Sequence, residues 1–139
     1  MGAQTNTNNH RNLDGVWVSS SGRLTLEMRT QSIGKDLLVQ FTGGEAHIGA
    51  VGVGCPVGER ATASVITLPG HRDDRLAQVA AERISAVFGC ACTVVAGVHY
   101  DDITPEEIQA SLKLFKEVLE AFIADKGPRP TPGRANQLS

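Results

Sequence analysis

Polar and apolar residues alternate along residues 23–29, with Leu24, Leu26 and Met28 on one side and Arg23, Thr25, Glu27 and Arg29 on the other. A period of two is that of a strand with one buried face, so this segment is predicted as a half-buried strand. Residues 32–36 contain Gly34 and read as a turn, and residues 36–42 supply a second strand that closes a hairpin. Gly43 and Gly44 interrupt it. Over residues 47–55 small residues alternate with Ile and Val among Gly49, Gly52 and Gly54, with Gly58 just beyond. This predicts a glycine-rich strand that something approaches closely. Residues 61–68 form a nearly continuous apolar run, predicted as a fourth strand with a central place in its sheet.

The period then lengthens. Residues 72–88 set Leu76, Val79, Ala80, Ile84, Val87 and Phe88 on one helical stripe, and Gly89 stops it. Asp73 and Asp74 fall in the first turn, where carboxylates suit the positive end of the helix dipole. Residues 92–96 form a short buried strand. A second helix begins with Thr104 as cap, Pro105 at the first helical position and Glu107 completing a capping box. Ile103 and Ile108 are spaced for a hydrophobic staple, and Ile108, Leu112, Phe115, Leu119 and Phe122 form the stripe expected to be buried.

The predicted order is β-β-β-β-α-β-α. Strands followed by a β-α-β step imply an α/β fold of the α+β kind, a single mixed sheet with helices packed on one face. A chain of 139 residues favours one domain. We expect residues 1–20 to be a flexible polar arm, residues 21–126 the folded domain, and residues 127–139, rich in proline, a disordered tail. Aromatic residues are only 4% of the chain, so the core must rest mainly on Val, Ile, Leu and Ala. With a net charge of −2 neither sign dominates, and nothing points to a nucleic-acid surface or a polybasic membrane patch. No apolar run approaches the length of a spanning helix, and the first residues lack the apolar core of a secretory signal. Cys55, Cys90 and Cys92 form no Cys-x-x-Cys pair, and Cys55 and Cys92 read as small core residues. Reduced thiols and a cytoplasmic location are expected.

Three segments bring histidine next to glycine or aspartate where elements end: Gly43 to Gly49 around His47, Leu68 to Asp74 around His71, and Gly97 to Asp102 around His99. His71 follows the fourth strand and His99 the fifth. A β-α-β step makes those strands parallel, so both histidines fall on the carboxyl edge of the sheet, where open α/β sheets bind ligands. Asp73, Asp74, Asp101 and Asp102 share that edge. Imidazole and carboxylate together suit a divalent metal. The backbone amides from Gly70 to Asp73 open a helix and suit a phosphate, with Arg72 adding charge. Plainer roles compete: loop histidines are commonly solvated, Asp73 and Asp74 serve the dipole, and Asp101 and Asp102 shape the loop before Thr104. His10 lies in the polar arm. No phosphate loop, nucleophile elbow or catalytic triad is found, so no catalytic residue is assigned.

Those three segments carry a resemblance. Ala46-His47-Ile48-Gly49-Ala50-Val51, the run Val65 to Asp74 with its Leu68-Pro69-Gly70-His71, and the run Val94 to Thr104 with its Gly97-Val98-His99 resemble the small LpdD-like prenylated-flavin chaperones associated with UbiD-type decarboxylases. The likeness spans roughly residues 21–125. It implies a proteasome assembly chaperone-like fold and a homodimer. It also implies binding of prenylated FMN, help with its oxidative maturation, and delivery to a UbiD-type decarboxylase. A metal near the flavin is implied too, with His47, His71 and His99 as its ligands. Gly49, Gly70, His71 and Arg72 are the expected flavin contacts. Such a protein is an accessory factor rather than an enzyme. The residues alone leave two alternatives open, a small metal-dependent enzyme acting on a phosphorylated substrate and a non-catalytic assembly protein.

Overall fold

The structure, a computed structural model, describes residues 12–70 and 73–128. Six strands and two helices follow one another as β1 (Gly15–Ser21), β2 (Leu24–Ile33), β3 (Asp36–Gly44), β4 (Ala50–Val57), β5 (Arg60–Thr67), α1 (Asp74–Phe88), β6 (Cys92–His99) and α2 (Pro105–Lys126). The strands form a single sheet in the order β1-β2-β3-β6-β4-β5. Only the β3–β6 pairing is parallel. β5 and β6 are each antiparallel to β4, so they run in the same direction with β4 between them. The predicted β-α-β step is therefore present, with one strand interposed.

Both helices cover the same face. α1 packs on β4, β5 and β6, and α2 packs on β1 and β2. Leu24, Leu26 and Met28 of β2 and Leu37, Val39 and Phe41 of β3 point into this layer, and Val94 of β6 joins them, all fully or almost fully buried. The predicted alternation of β2 is thus the alternation of its buried face. β4 carries Gly52 and Gly54 inward because α1 lies directly on it. A Cβ at Gly52 would come within 2.6 Å of the Ala77 carbonyl oxygen, and one at Gly54 would collide with that of Ala81. The close neighbour of this glycine-rich strand is α1.

Four expectations change. β1 lies within the segment expected to be an arm, and it pairs with β2 from Gly15↔Thr30 to Ser21↔Leu24. β5 is an edge strand, not a central one. Its run is really an alternation of small residues: Ala61, Ala63 and Val65 turn toward the helices while Thr62, Ser64 and Ile66 face outward. Cys55 is exposed on β4, whereas Cys90 and Cys92 are buried. Burial pushes the Cys92 thiol up to about 12, with Cys90 adding to it, and raises that of Cys90 with help from Asp36. The helical stripes are also offset. α1 buries Ala77, Ala80, Ala81, Ile84 and Ser85 but exposes Val79. α2 buries Leu114, Phe115, Val118, Leu119 and Phe122 but leaves Ile108 and Leu112 exposed. Each helix presents its buried side to the sheet; the helices meet at Phe88 and Phe122 and leave Val79 and Leu112 exposed.

The cap, the proline and the capping box at the start of α2 are as predicted. Glu107 N–H donates to Thr104 Oγ1 at 3.1 Å, and Thr104 N–H donates to Glu107 Oε1 at 3.2 Å. Thr104→Ala is expected to cost about 1 kcal/mol in denaturant unfolding, through one lost cap bond. The arm before residue 12, with His10, and the tail from residue 129 lie outside the described residues.

Candidate functional site

The carboxyl ends of β3, β5 and β6 meet at one edge of the sheet, beside the first residue of β4. Gly44 pairs with His99 there, and Ala50 pairs with both Thr67 and Ala96. Loop 45–49 lies across the end of β6, held by backbone bonds: Glu45 N–H to the His99 carbonyl at 3.0 Å and Gly49 N–H to the Ala96 carbonyl at 2.9 Å. Leu68 N–H donates to the Gly49 carbonyl at 2.9 Å, which fastens β5 to the same loop. Glycine makes this layering sterically feasible. A Cβ at Gly97 would collide with the backbone carbonyl of His47, and one at Gly44 with that of His99. Gly44 also sits at φ +67°, a conformation that costs other residues energy.

His47 is thereby placed inward, with a side chain 23% exposed. Its Nδ1 lies 3.0 Å from the Glu45 carbonyl and its Nε2 lies 3.5 Å from Asp73 Oδ2. Asp73 is the buried N-cap residue of α1, yet its side chain makes no cap hydrogen bond. The backbone there has φ −86° and ψ 4°, away from the extended conformation usual for a cap. Its carboxylate turns instead toward the sheet, accepting from Val98 N–H at 3.4 Å and facing His47. Gly49 leaves the room for it, since a Cβ there would collide with Asp73 Oδ2. The His99 ring stands 6.5 Å from that of His47, at 80° to it. His99 Nε2 lies 3.0 Å from Asp101 Oδ1, on the solvent side.

The loop after β6 is held by residues that the sequence reading passed over. Arg23, in the turn between β1 and β2, donates from Nε to Glu107 Oε2 at 2.7 Å and from Nη2 to the Asp101 carbonyl at 2.7 Å. Its guanidinium lies 5.8 Å above the Tyr100 ring centre. Tyr100 O–H donates to the Thr25 carbonyl at 2.6 Å and accepts from Thr25 N–H at 2.7 Å. Hydrogen bonding from Arg23, then from Thr104, holds the Glu107 carboxyl down at about 2, and the same pairing raises the Arg23 pKa. A carboxyl with a lowered pKa stabilises the fold above its unfolded value near 4.5. That contribution fades as pH falls from there through about 2.

Of the residues singled out in the sequence, the fold brings together His47, Gly49, Asp73 and His99. Asp101 pairs with His99, and Asp102 adopts φ 51° in the turn before α2, an unusual conformation that aspartate tolerates. Asp74 is exposed on the first turn of α1, and Gly70 is exposed with φ +81°. His71 and Arg72 lie outside the described residues. Among the described residues no group of three His, Cys, Asp or Glu side chains is arranged to hold a metal ion. The His47–Asp73 pair places two such groups 3.5 Å apart. No helix among the described residues is long and apolar enough to cross a membrane.

Comparison with known proteins bears on the fold and the family. A chain from the crystal structure of a chaperone complex for yeast 20S proteasome assembly superposes with a TM-score of 0.52 at 18% identity, over 81% of this chain and 98% of that one. At that identity the likeness establishes a shared fold. The protein LpdD of Lactiplantibacillus plantarum (strain ATCC BAA-793 / NCIMB 8826 / WCFS1) is 31% identical over 100 residues, covering 68% of this chain and 71% of the relative. The model of the prenylated flavin chaperone LpdD-like domain matches residues 20–126. Family match and identity together show that the chain belongs to the LpdD-like prenylated-flavin chaperone family.

Proposed function

We propose that the protein binds prenylated FMN at the edge where loop 45–49, the β5–α1 connection and the end of β6 meet, assists its oxidative maturation, and delivers it to a UbiD-type decarboxylase. The observation that carries this reading is the redirected Asp73. A residue placed to cap α1 instead faces His47, which leaves the first turn of α1 without a side-chain cap. Exposed first-turn amides are the usual docking point of a phosphate. In this reading they take the flavin phosphate, assisted by Gly70, His71 and Arg72, while Gly49, expected to touch the flavin, instead gives its space to the Asp73 carboxylate. The family assignment supports the identity of the ligand.

His47 and Asp73 would supply two donors to a divalent metal, joined by His71 and by His99 once it leaves Asp101. Such an ion would bring Lewis acidity beside the ring. The protein is further proposed to act as a homodimer in the cytoplasm. The sheet face opposite the helices supports pairing, since Val53 is 47% and Ile66 70% exposed on it. No catalytic side chain is assigned.

The test is titration of the purified protein with prenylated FMN and with FMN, with metal content measured by elemental analysis and mass by light scattering. Tighter binding of the prenylated form is expected. Arg72→Ala should weaken it by about 1.5–3 kcal/mol if the guanidinium meets the phosphate directly. His71→Ala with His99→Ala should empty the metal site while leaving most of the flavin affinity. A wild type that neither retains the flavin nor speeds activation of an apo-decarboxylase would overturn the reading. Turnover of a phosphorylated substrate without a chromophore would favour a metal-dependent enzyme instead.

A further inference from the structure

α1 and α2 share one face of the sheet but leave a groove of about 560 Å³ between them. Its apolar part comes from Leu76 and Val79 of α1 and from Leu112 and Phe115 of α2. Val79 is 44% and Leu112 39% exposed, although both belong to the stripes that the sequence predicts to be buried. The polar part is one-signed: Arg75, Lys113 and Lys116 line the groove and no acidic residue does. That sign stands out in a chain whose net charge is −2. Among the described residues none of these three cations forms an ion pair, whereas Arg23, Arg29 and Arg83 all do. The carboxylates of α2 that could have neutralised them are engaged elsewhere: Glu107 with Arg23, Glu117 with Ser19 and Glu120 with Arg83. The Arg83–Glu120 pair, 3.3 Å apart, bridges the helices one turn beyond Val79 and Lys116 and closes that end. The other end reaches Arg75, two residues from Asp73 at the flavin edge.

We propose that this groove docks an acidic, amphipathic segment of the decarboxylase that receives the flavin. Its apolar side chains would cover Val79 and Leu112, and its carboxylates would meet Arg75, Lys113 and Lys116. Charge complementarity selects this occupant: an apolar floor needs an apolar partner, and three unneutralised cations need acids rather than a neutral or basic surface. Docking here places the receiving enzyme against the helical flank that leads up to the flavin site. The inference rests on the chaperone reading above and adds the surface that reading lacks.

The probe is a purified UbiD-type apo-decarboxylase, and the variant is Lys113→Glu with Lys116→Glu, two exposed positions on α2 remote from the flavin edge. The wild type should bind the decarboxylase, and more weakly at about 300 mM than at about 50 mM salt because the contact is ionic at its rim. The variant should bind at least about tenfold more weakly, a loss near 1.4 kcal/mol, while its flavin titration stays as in the wild type. Lys113→Ala with Lys116→Ala, expected to lose less, keeps the test available should the charge reversal fold poorly. Undiminished decarboxylase binding by the variants overturns the docking surface and leaves the flavin reading standing. So does a wild type that holds flavin but forms no complex. A wild type that holds no flavin sinks both. If the substitutions change only the mass by light scattering, the groove joins two copies of this chain. If they change only adsorption to phosphatidylserine vesicles, it meets lipid. Either result overturns the proposal.

Discussion

Phe122→Ala is expected to lower the free energy of unfolding by about 3–5 kcal/mol, the usual cost of emptying a buried aromatic site. The side chain is fully buried. It meets Trp17 of β1 edge-on, with ring centres 4.9 Å apart, and stacks on Phe88 at the end of α1 at 5.0 Å and 19°. It therefore ties the packed pair β1 and α2 to the end of α1, which otherwise touches α2 little because the two helices pack chiefly on different strands. The chain has four phenylalanines and one tryptophan. Phe122, Phe88 and Trp17 form one cluster, and Phe41 with Phe115, 4.8 Å apart, forms another. Truncating the central ring leaves a cavity that neighbours cannot fill without moving a helix end. Urea unfolding should show a lower midpoint with an unchanged slope, because the surface exposed on unfolding is nearly the same. A loss under about 1 kcal/mol would mean that Trp17 and Phe88 close over the gap.

The same cluster explains what the sequence could and could not disclose. The caps of α2 were legible because capping is local: Thr104, Pro105 and Glu107 meet within one turn. Gly89, at φ +64° with its N–H bonded to the Ser85 carbonyl, ends α1 by equally local means. The buried sides of the helices were not legible in full. Val79, Ile108 and Leu112 continue apolar stripes, yet each helix turns its buried face to the sheet, and only tertiary packing decides that angle. β1 is hard to read because its inward residues, Gly15, Trp17 and Ser19, include a single large apolar side chain. Its pairing with β2 is what makes it a strand. β5 was placed centrally because its outward face holds Ile66 beside Thr62 and Ser64, and alanine hides a period of two.

At the site, His47 and His99 could be read from their glycine neighbours, and the fold brings them within 6.5 Å. Asp73 is legible as a partner of the helix dipole and as one of the carboxylates at that edge, but not as the partner of His47. Its turn toward His47 depends on the absence of a Cβ at Gly49, a relation between residues 24 positions apart that no local pattern encodes. Arg23 and Tyr100 were missed for the same reason, because each finds its partner across the sheet from distant sequence.

That dependence on missing side chains yields the second large effect, at Gly97. A Cβ there would fall on the His47 carbonyl, so Gly97→Ala must lift loop 45–49 off the end of β6. The displaced segment carries both His47 and the Gly49 N–H bond to Ala96, and with them the wall that faces Asp73. The loop is largely exposed, so the fold can yield there, at a cost of about 1–3 kcal/mol in stability. Gly52→Ala provides the comparison. Its Cβ would press on the Ala77 carbonyl from 2.6 Å, which strains the α1–β4 contact by a similar amount but leaves loop 45–49 in place. If the flavin sits where we propose, Gly97→Ala should weaken prenylated-FMN binding by at least about tenfold. Gly52→Ala, matched for stability, should bind within about twofold of the wild type. Paired flavin titrations and denaturant curves on both variants decide the matter. Equal flavin loss in the two would tie binding to general stability, and no loss in Gly97→Ala would move the flavin away from His47.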